Sequence, residues 1–77
     1  MDVMERLKLL VSDVLELEPD AVDASAGKET LPEWDSLAHL RIVGAVEEEF
    51  GVKLTMQEIG EMTSLAAIGK LVERHSA

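Results

Sequence analysis

Apolar residues in the first part of the chain recur at steps of three and four, which predicts one apolar face of an α-helix. They are Val3, Leu7, Leu10, Val11, Val14 and Leu17. Asp2 is placed to cap this helix, and Glu5, three residues later, completes a pattern like a capping box. Pro19 restricts the residue before it and has no N–H to donate, so we expect the helix to end near Glu18.

The helical pattern is lost between Pro19 and Asp35. The stretch PDAVDASAGKETLPEW contains two prolines, a glycine and several small residues. A connection of roughly 16 residues is long for a compact domain, and such loops are often functional or contain a short turn of their own. We expect Val22 and Leu31 to anchor this loop in the core.

Two more helices are predicted directly after the loop. The second helix runs from about Ser36 to Phe50 and stops at Gly51, a residue suited to the position that follows a helix. Thr55 then begins a short third helix, and Glu58 is placed to complete a capping box with it.

The last helix is predicted to begin at Thr63 or Ser64. Its apolar face consists of Leu65, Ile68, Leu71 and Val72. Because β-branched residues occur at helical spacing, no strand is predicted. The expected fold class is all-α: a small four-helix bundle of three longer helices and one short helix, with a long loop between helices 1 and 2. At 77 residues, the chain is expected to be one domain, residues 1–77.

Charge adds information about partners. Sixteen acidic residues against seven Lys and Arg give a formal net charge of −9. This charge repels nucleic acid and anionic membranes and attracts proteins with basic surfaces. No apolar run approaches the ~18 residues of a membrane span, and the N-terminus lacks the apolar region of a signal peptide. The absence of cysteine fits a reducing compartment, so we expect a cytoplasmic, monomeric protein.

Candidate catalytic and metal-binding groups are few. Asp35, Ser36 and His39 are close in sequence, but a helix capped by Asp35 does not align them as orienting group, nucleophile and base. We therefore expect His39 to be a partly buried packing residue. The three consecutive glutamates at 47–49 fan around a helix, and no segment matches a calcium loop. Neither catalysis nor metal binding is expected.

The second helix has more apolar surface than a core face requires. At about 100° per residue, one side suffices for the core. That side contains Ile42, Val43, Val46 and Phe50. Leu37 and Leu40 fall roughly opposite, next to Gly44 and flanked by charged residues. Such a stripe is typical of a partner-binding surface; the alternative is that the two leucines pack under the long loop.

Ser36 begins this stripe at the first helical position. Asp35 can act as the cap, which leaves the serine hydroxyl pointing outward, and Trp34 is placed as a hydrophobic staple over residue 39. A phosphate ester on Ser36 would meet free backbone N–H groups and the positive end of the helix dipole. The residues thus favour an anionic modification of Ser36 without identifying it.

The segment DSLAHLRIVGAVEEEFGVKL resembles the acyl carrier proteins of fatty-acid and polyketide synthesis, in which an Asp-Ser-Leu triplet opens the second helix before an acidic EEEFG end. The resemblance extends to length, acidity, the long first loop and the short third helix. It implies a carrier and not an enzyme. It also implies that a phosphopantetheinyl transferase attaches 4′-phosphopantetheine to Ser36, and that the thiol of this arm holds acyl groups as thioesters.

The same resemblance implies where partners and cargo bind. Acyl-loading and acyl-processing enzymes would meet the carrier through their basic docking surfaces. The implied partner-binding residues are Asp35, Leu37, Leu40, Arg41, Glu47 and Glu48. A sequestered acyl chain would lie among Val46, Leu54, Ile59 and Met62.

The chain departs from many carriers of fatty-acid synthesis at several positions. It has LPEWDSL in place of an LGADSL-like approach, Ala38 and Arg41 where acidic residues are frequent, and Gly44 where a bulky apolar residue is common. The tryptophan form is more similar to stand-alone carriers of specialised pathways. The alternatives are an aminoacyl, peptidyl or D-alanyl carrier, an unmodified acidic interaction module, and a small hydrolase using Ser36.

Overall fold

The computed structural model of the protein describes residues 2–76, with the side chain of residue 76 left out. The described residues form four α-helices and one short 3-10 turn. These are α1 (Val3–Leu15), the 3-10 turn (Pro19–Ala21), α2 (Ser36–Phe50), α3 (Met56–Glu61) and α4 (Leu65–Ser76). Within residues 2–76 the extended pairing is limited to one isolated bridge. The predicted all-α, four-helix fold is confirmed.

Side-chain caps begin α1, α3 and α4 at or next to the predicted positions. The Asp2 carboxylate accepts the backbone N–H of Glu5 at 2.8 Å. Thr55 and Glu58 form the predicted reciprocal capping box. The Ser64 hydroxyl accepts the backbone N–H three residues further on, at 3.2 Å. Each cap satisfies an N–H group that has no partner within its own helix.

The first helix ends earlier than predicted. It stops at Leu15 and not near Glu18, because Glu16 adopts a left-handed backbone conformation with φ of 57°. The backbone N–H of Leu17 then bonds to the carbonyl of Ser12 at 2.8 Å, as in a Schellman motif. A local turn therefore ends the helix before the following proline can act.

The core lies between α1, α2, α4 and the long loop. The side chains at its centre are fully buried: Leu7, Val11, Val22, Ile42, Val46, Met62 and Ile68. Val22 is thus an anchor of the loop, as predicted, and Leu31 packs half-buried against the same core. Beside this core, Arg6 joins α1 to the end of α2 through a 2.7 Å ion pair with Glu49 and a position 4.5 Å above the Phe50 ring.

The long loop is fastened to the start of α4 by backbone contacts. The N–H of Leu65 bonds to the carbonyl of Ala26 at 2.9 Å, and the N–H of Lys28 bonds to the carbonyl of Thr63 at 3.2 Å. Between them, a Cβ atom at Gly27 would come within 2.1 Å of the Thr63 carbonyl oxygen. The crossing therefore requires glycine at this position.

The short helix α3 has no buried residue. Its Glu58 carboxylate accepts the N–H of Thr55 and lies 2.9 Å from His75 Nε2 in α4. The Thr55 N–H, followed by the His75 ring, holds the pKa of Glu58 below its usual value. These polar contacts hold α3 against its neighbours together with Ile59, which packs half-buried on the core. None of the described helices is both long and apolar enough to cross a membrane.

Candidate functional site

Ser36 is the first residue of α2 and is exposed. The preceding residue supplies the cap: the Asp35 carboxylate accepts the N–H of Ala38 at 2.9 Å, and the Asp35 carbonyl accepts the N–H of His39 at 2.8 Å. The capping role predicted for Asp35 is confirmed. The hydroxyl of Ser36 is therefore free of the cap and lies at the protein surface.

The start of α2 suits a bound anion next to Ser36. The first N–H groups of a helix have no intrahelical partner. In α2 the N–H groups of residues 36–38 precede the first backbone bond of the helix, that of His39 to the Asp35 carbonyl, and the Asp35 carboxylate satisfies the last of these three groups. In the described part of the chain, no hydrogen bond involves the two remaining groups, the N–H of Ser36 and that of Leu37. Together with the helix dipole, these donors fit a phosphodiester on the neighbouring hydroxyl.

Trp34 and His39 form a buried pair behind the serine. The exposed fractions of the two residues are 2% and 8%. Trp34 Nε1 donates a hydrogen bond to His39 Nδ1 at 3.0 Å, with the ring centroids 6.3 Å apart. The predicted staple over residue 39 and the packing role of His39 are both confirmed. The polar nature of the contact was not predicted.

The same histidine is unavailable as a catalytic base for Ser36. Its second ring nitrogen, Nε2, lies 2.9 Å from the backbone carbonyl oxygen of Ile59. Both nitrogens are therefore engaged inside the protein, and no hydrogen bond between the side chains of His39 and Ser36 occurs in the described structure. The residues do not form the arrangement that a serine nucleophile requires.

The second apolar stripe of α2 faces outward. Leu37 is 61% exposed and Leu40 is 63% exposed, which excludes their packing under the long loop. Gly44 beside them is also exposed, with no neighbour within 4 Å of a built Cβ. Met56 at the start of α3 is 85% exposed. Sequence patterning did not single out this methionine, because a short helix offers too few turns to define its faces.

The charged residues near the stripe differ in their surroundings. Asp35, Arg41 and Glu48 are exposed. Glu47 is half-buried, and its Oε2 accepts the backbone N–H of Leu54 at 2.9 Å. Glu47 therefore has a structural contact to the segment that precedes α3, which the helical pattern alone did not indicate.

The four residues named for an acyl chain are all packed at or near the core. Val46 and Met62 are fully buried, whereas Leu54 and Ile59 are half-buried against the core. Two surface pockets, one of about 690 Å³ between α1 and α2 and one of about 490 Å³ around Gly27, include none of them. Sequestration of cargo among these residues stays a prediction.

The described residues contain no group of three or more His, Asp or Glu side chains that could hold a metal ion. The chemical features of the site are thus an exposed hydroxyl, a helix start with free N–H groups, and an apolar stripe with acidic neighbours. These features fit a carrier, a protein that presents a covalently attached group to other enzymes.

Comparison with known proteins agrees with this class. Residues 5–72 match the family described as "Phosphopantetheine attachment site". The chain is 32% identical to the acyl carrier protein of Zymomonas mobilis over 76 residues, which cover 99% of this chain and 97% of that protein. It is 37% identical to polyketide-8 synthase acyl carrier protein 2 of Streptomyces avermitilis over 68 residues, covering 88% and 78% of the two chains.

The fold is also found among solved structures. The solution structure of holo acyl carrier protein from Geobacter metallireducens superposes with a TM-score of 0.85 at 17% identity, covering 99% of this chain and 87% of that one. The chain belongs to the acyl carrier protein family. Its cofactor is 4′-phosphopantetheine, attached covalently, and members of this family interact with phosphopantetheinyl transferases and biosynthetic enzymes.

Proposed function

We propose that Ser36 is the attachment point of 4′-phosphopantetheine and that the chain is a non-catalytic carrier of acyl thioesters. The observation that supports this most directly is the division between Asp35, whose carboxylate caps α2, and Ser36, whose hydroxyl is exposed beside it. A serine that capped the helix would have its oxygen occupied by a backbone N–H. Here that oxygen is accessible to a transferase.

The residues around Ser36 hold the attached phosphodiester at the start of α2. The free N–H groups of Ser36 and Leu37 and the helix dipole stabilise its negative charge by about 0.3–1 kcal/mol at an exposed position. This offsets part of the repulsion from the acidic surface. When bound, the group supplies a thiol, which this chain lacks because it has no cysteine.

The exposed stripe of α2 is the proposed docking surface for partner enzymes. Leu37 and Leu40 provide an apolar centre that a partner can desolvate. Asp35 and Glu48 provide exposed acidic groups at its edge, which steer partners with basic surfaces. Arg41 adds a positive charge within the same surface and disfavours a partner that is basic at the matching position.

We infer that the pathway is a specialised one, such as polyketide synthesis. This inference is supported by the similarity to a polyketide synthase carrier and by the residues at positions 34, 41 and 44. An aminoacyl, peptidyl or D-alanyl carrier is the alternative within the same class. An unmodified interaction module does not fit the cofactor of the family, and the engaged ring of His39 does not fit a hydrolase. We place the carrier in the cytoplasm.

Intact-mass spectrometry tests the attachment site. Incubation with coenzyme A and a phosphopantetheinyl transferase of broad specificity is expected to add the mass of one phosphopantetheinyl group to the native protein. Ser36→Ala is expected to gain nothing. Ser25→Ala is the matched control, since Ser25 is also exposed but its hydroxyl is bonded to Asp23 in the long loop. This control should gain the full mass.

A mass gain that persists in Ser36→Ala would contradict the assignment, as would no gain in the native protein with several competent transferases. Hydrolysis of an acyl thioester by the unmodified protein that disappears in Ser36→Ala would instead show an enzyme. Offering the loaded protein to acyl-transferring and to aminoacyl-activating enzymes separates the two classes of cargo.

A further inference from the structure

The segment that contains α3 is bonded to α2 by two side chains. His39 Nε2 lies 2.9 Å from the carbonyl oxygen of Ile59, and Glu47 Oε2 accepts the N–H of Leu54 at 2.9 Å. The two α2 residues are eight positions apart, which corresponds to about 12 Å along a helix. Because α3 has no fully buried residue and packs on the core only through the half-buried Ile59, these two hydrogen bonds contribute to holding its segment against α2.

The hydrogen bonds of His39 also determine which ring nitrogen has the proton. The indole N–H of Trp34 can only donate, so Nδ1 of His39 must accept with a lone pair. The proton is therefore on Nε2, which donates to the carbonyl of Ile59. A single chain of hydrogen bonds runs from the loop before α2, through His39, to the backbone of α3.

Each part of this chain depends on the other parts. Trp34 is 2% exposed, so loss of the histidine removes the hydrogen-bond acceptor of a buried N–H group. A side chain with an N–H at the position of Nδ1 would point this donor at the indole N–H of Trp34. The hydrogen bond between the two residues would then be lost. The imidazole ring holds its acceptor and its donor at fixed positions on one rigid ring, so that it contacts both partners at once.

We propose that His39 is a positioning residue that fixes α3 relative to the segment presenting Ser36. A partner enzyme then meets the modified serine, the leucines of α2 and the exposed Met56 of α3 in one fixed arrangement. This inference rests on the proposed attachment at Ser36. It adds that the Trp34–His39 pair sets the shape of the surface that partners recognise.

Two substitutions separate the two hydrogen bonds of the ring. His39→Asn places a carbonyl oxygen near the position of Nδ1 and keeps an acceptor for Trp34, but it is too short to reach Ile59. His39→Gln places an amide N–H near the position of Nε2 and keeps the bond to Ile59, but it leaves the indole N–H without its acceptor. Trp34→Phe removes that donor and keeps an aromatic ring.

Amide hydrogen exchange followed by NMR measures the position of α3 directly. His39→Asn is expected to speed exchange of the amides at 59–62 by about three- to tenfold, the effect of one net hydrogen bond. Exchange in α1 and α4 should stay as in the native protein. His39→Gln and Trp34→Phe should affect 59–62 less than His39→Asn does. Glu47→Ala serves as a control that should speed exchange near Leu54 and not at 59–62.

The same variants are then loaded by a phosphopantetheinyl transferase. His39→Asn should raise the KM for the carrier by about three- to tenfold and leave kcat unchanged, because α3 contributes to binding and not to the reacting hydroxyl. His39→Gln should keep a KM closer to the native value. Unchanged exchange at 59–62 in His39→Asn would overturn the inference, and so would equal acceleration in all helices, which indicates only a structural role.

The two proposals can fail separately. If Ser36→Ala is still loaded, the attachment site is wrong, whatever the exchange of α3 shows. If Ser36→Ala is not loaded but His39→Asn has native KM and native exchange, the attachment site stands and the positioning role of His39 is wrong.

Discussion

At the start of α2, two adjacent side chains have different surroundings. The Asp35 carboxylate is bonded to the N–H of Ala38, and Ser36 is exposed. A residue at the cap position directs its side chain back toward the helix, whereas a residue at the first helical position does not. The order Asp-Ser therefore provides both a stable helix start and an exposed serine. In the reverse order, Ser-Asp, the serine would be the cap and its hydroxyl oxygen would be bonded to a backbone N–H.

Glu47 and Glu48 are adjacent acidic residues with different expected roles. Glu48→Lys reverses an exposed charge on the proposed docking surface, so it should raise the KM of a transferase with a basic surface and leave the free energy of unfolding within about 0.5 kcal/mol. Glu47→Lys removes the acceptor for Leu54 as well and should also lower stability by about 1 kcal/mol. Loading kinetics and urea unfolding of both variants measure these effects.

Glu47→Gln is the control for this pair, since the amide oxygen can still accept the N–H of Leu54. It should unfold like the native protein. A native KM for Glu48→Lys would mean that partners dock on another surface.

One glycine lies within α2 and another lies directly after it. Substitution by alanine at the two positions is expected to have opposite effects on stability. Gly44→Ala should stabilise the protein by up to about 1 kcal/mol, because the position is exposed and a Cβ meets nothing within 4 Å. Gly51→Ala should destabilise it by about 1 kcal/mol, because Gly51 has φ of 64°. Chemical denaturation measures both, and a destabilised Gly44→Ala would contradict the helical placement of that residue.

The helix boundaries could be predicted where local chemistry determines them. Asp35 and Gly51 are a strong cap and a strong stop, and α2 has the predicted bounds of Ser36 and Phe50. The end of α1 could not be predicted, because Glu16 takes a left-handed conformation that glycine and asparagine usually adopt. The glutamate at this position does not indicate the turn.

The site could be predicted in part for the same reason. Three neighbours lie within one turn of the start of α2: Trp34, Asp35 and Ser36. Their spacing alone therefore predicts which residue packs, which caps the helix and which is exposed. The bond from His39 to Ile59 joins residues 20 positions apart, and the bond from Glu47 to Leu54 crosses a helix end. Such contacts depend on how α3 packs, which local pattern does not determine.

For the whole molecule, the net charge of −9 has two opposite consequences. Like charges repel within the folded chain, and salt screens them over about 10 Å at 0.1 M. Raising the NaCl concentration should therefore increase Tm; a gain of about 1 kcal/mol corresponds to roughly 4–8 °C for a domain of this size. The same screening weakens attraction to a basic partner, so loading by a transferase should slow.

Calorimetry and loading assays over one series of salt concentrations measure the two trends. The same series with KCl in place of NaCl is the control for effects that are specific to sodium. A Tm that falls with salt would show that attractive ion pairs, such as that of Arg6 with Glu49, outweigh repulsion.

The crossing of the long loop at Gly27 has a consequence for protein engineering. Because a Cβ atom there would overlap the carbonyl of Thr63, the residues before Gly27 and the start of α4 must be exchanged together between carriers. The segment from Lys28 to Glu33 follows this crossing and is exposed except for Leu31. A chimera with a single boundary just after Gly27 therefore separates two surfaces that were fitted to each other, whereas a chimera that also takes residues 63–65 from the carrier that supplies residues 26–28 keeps them together.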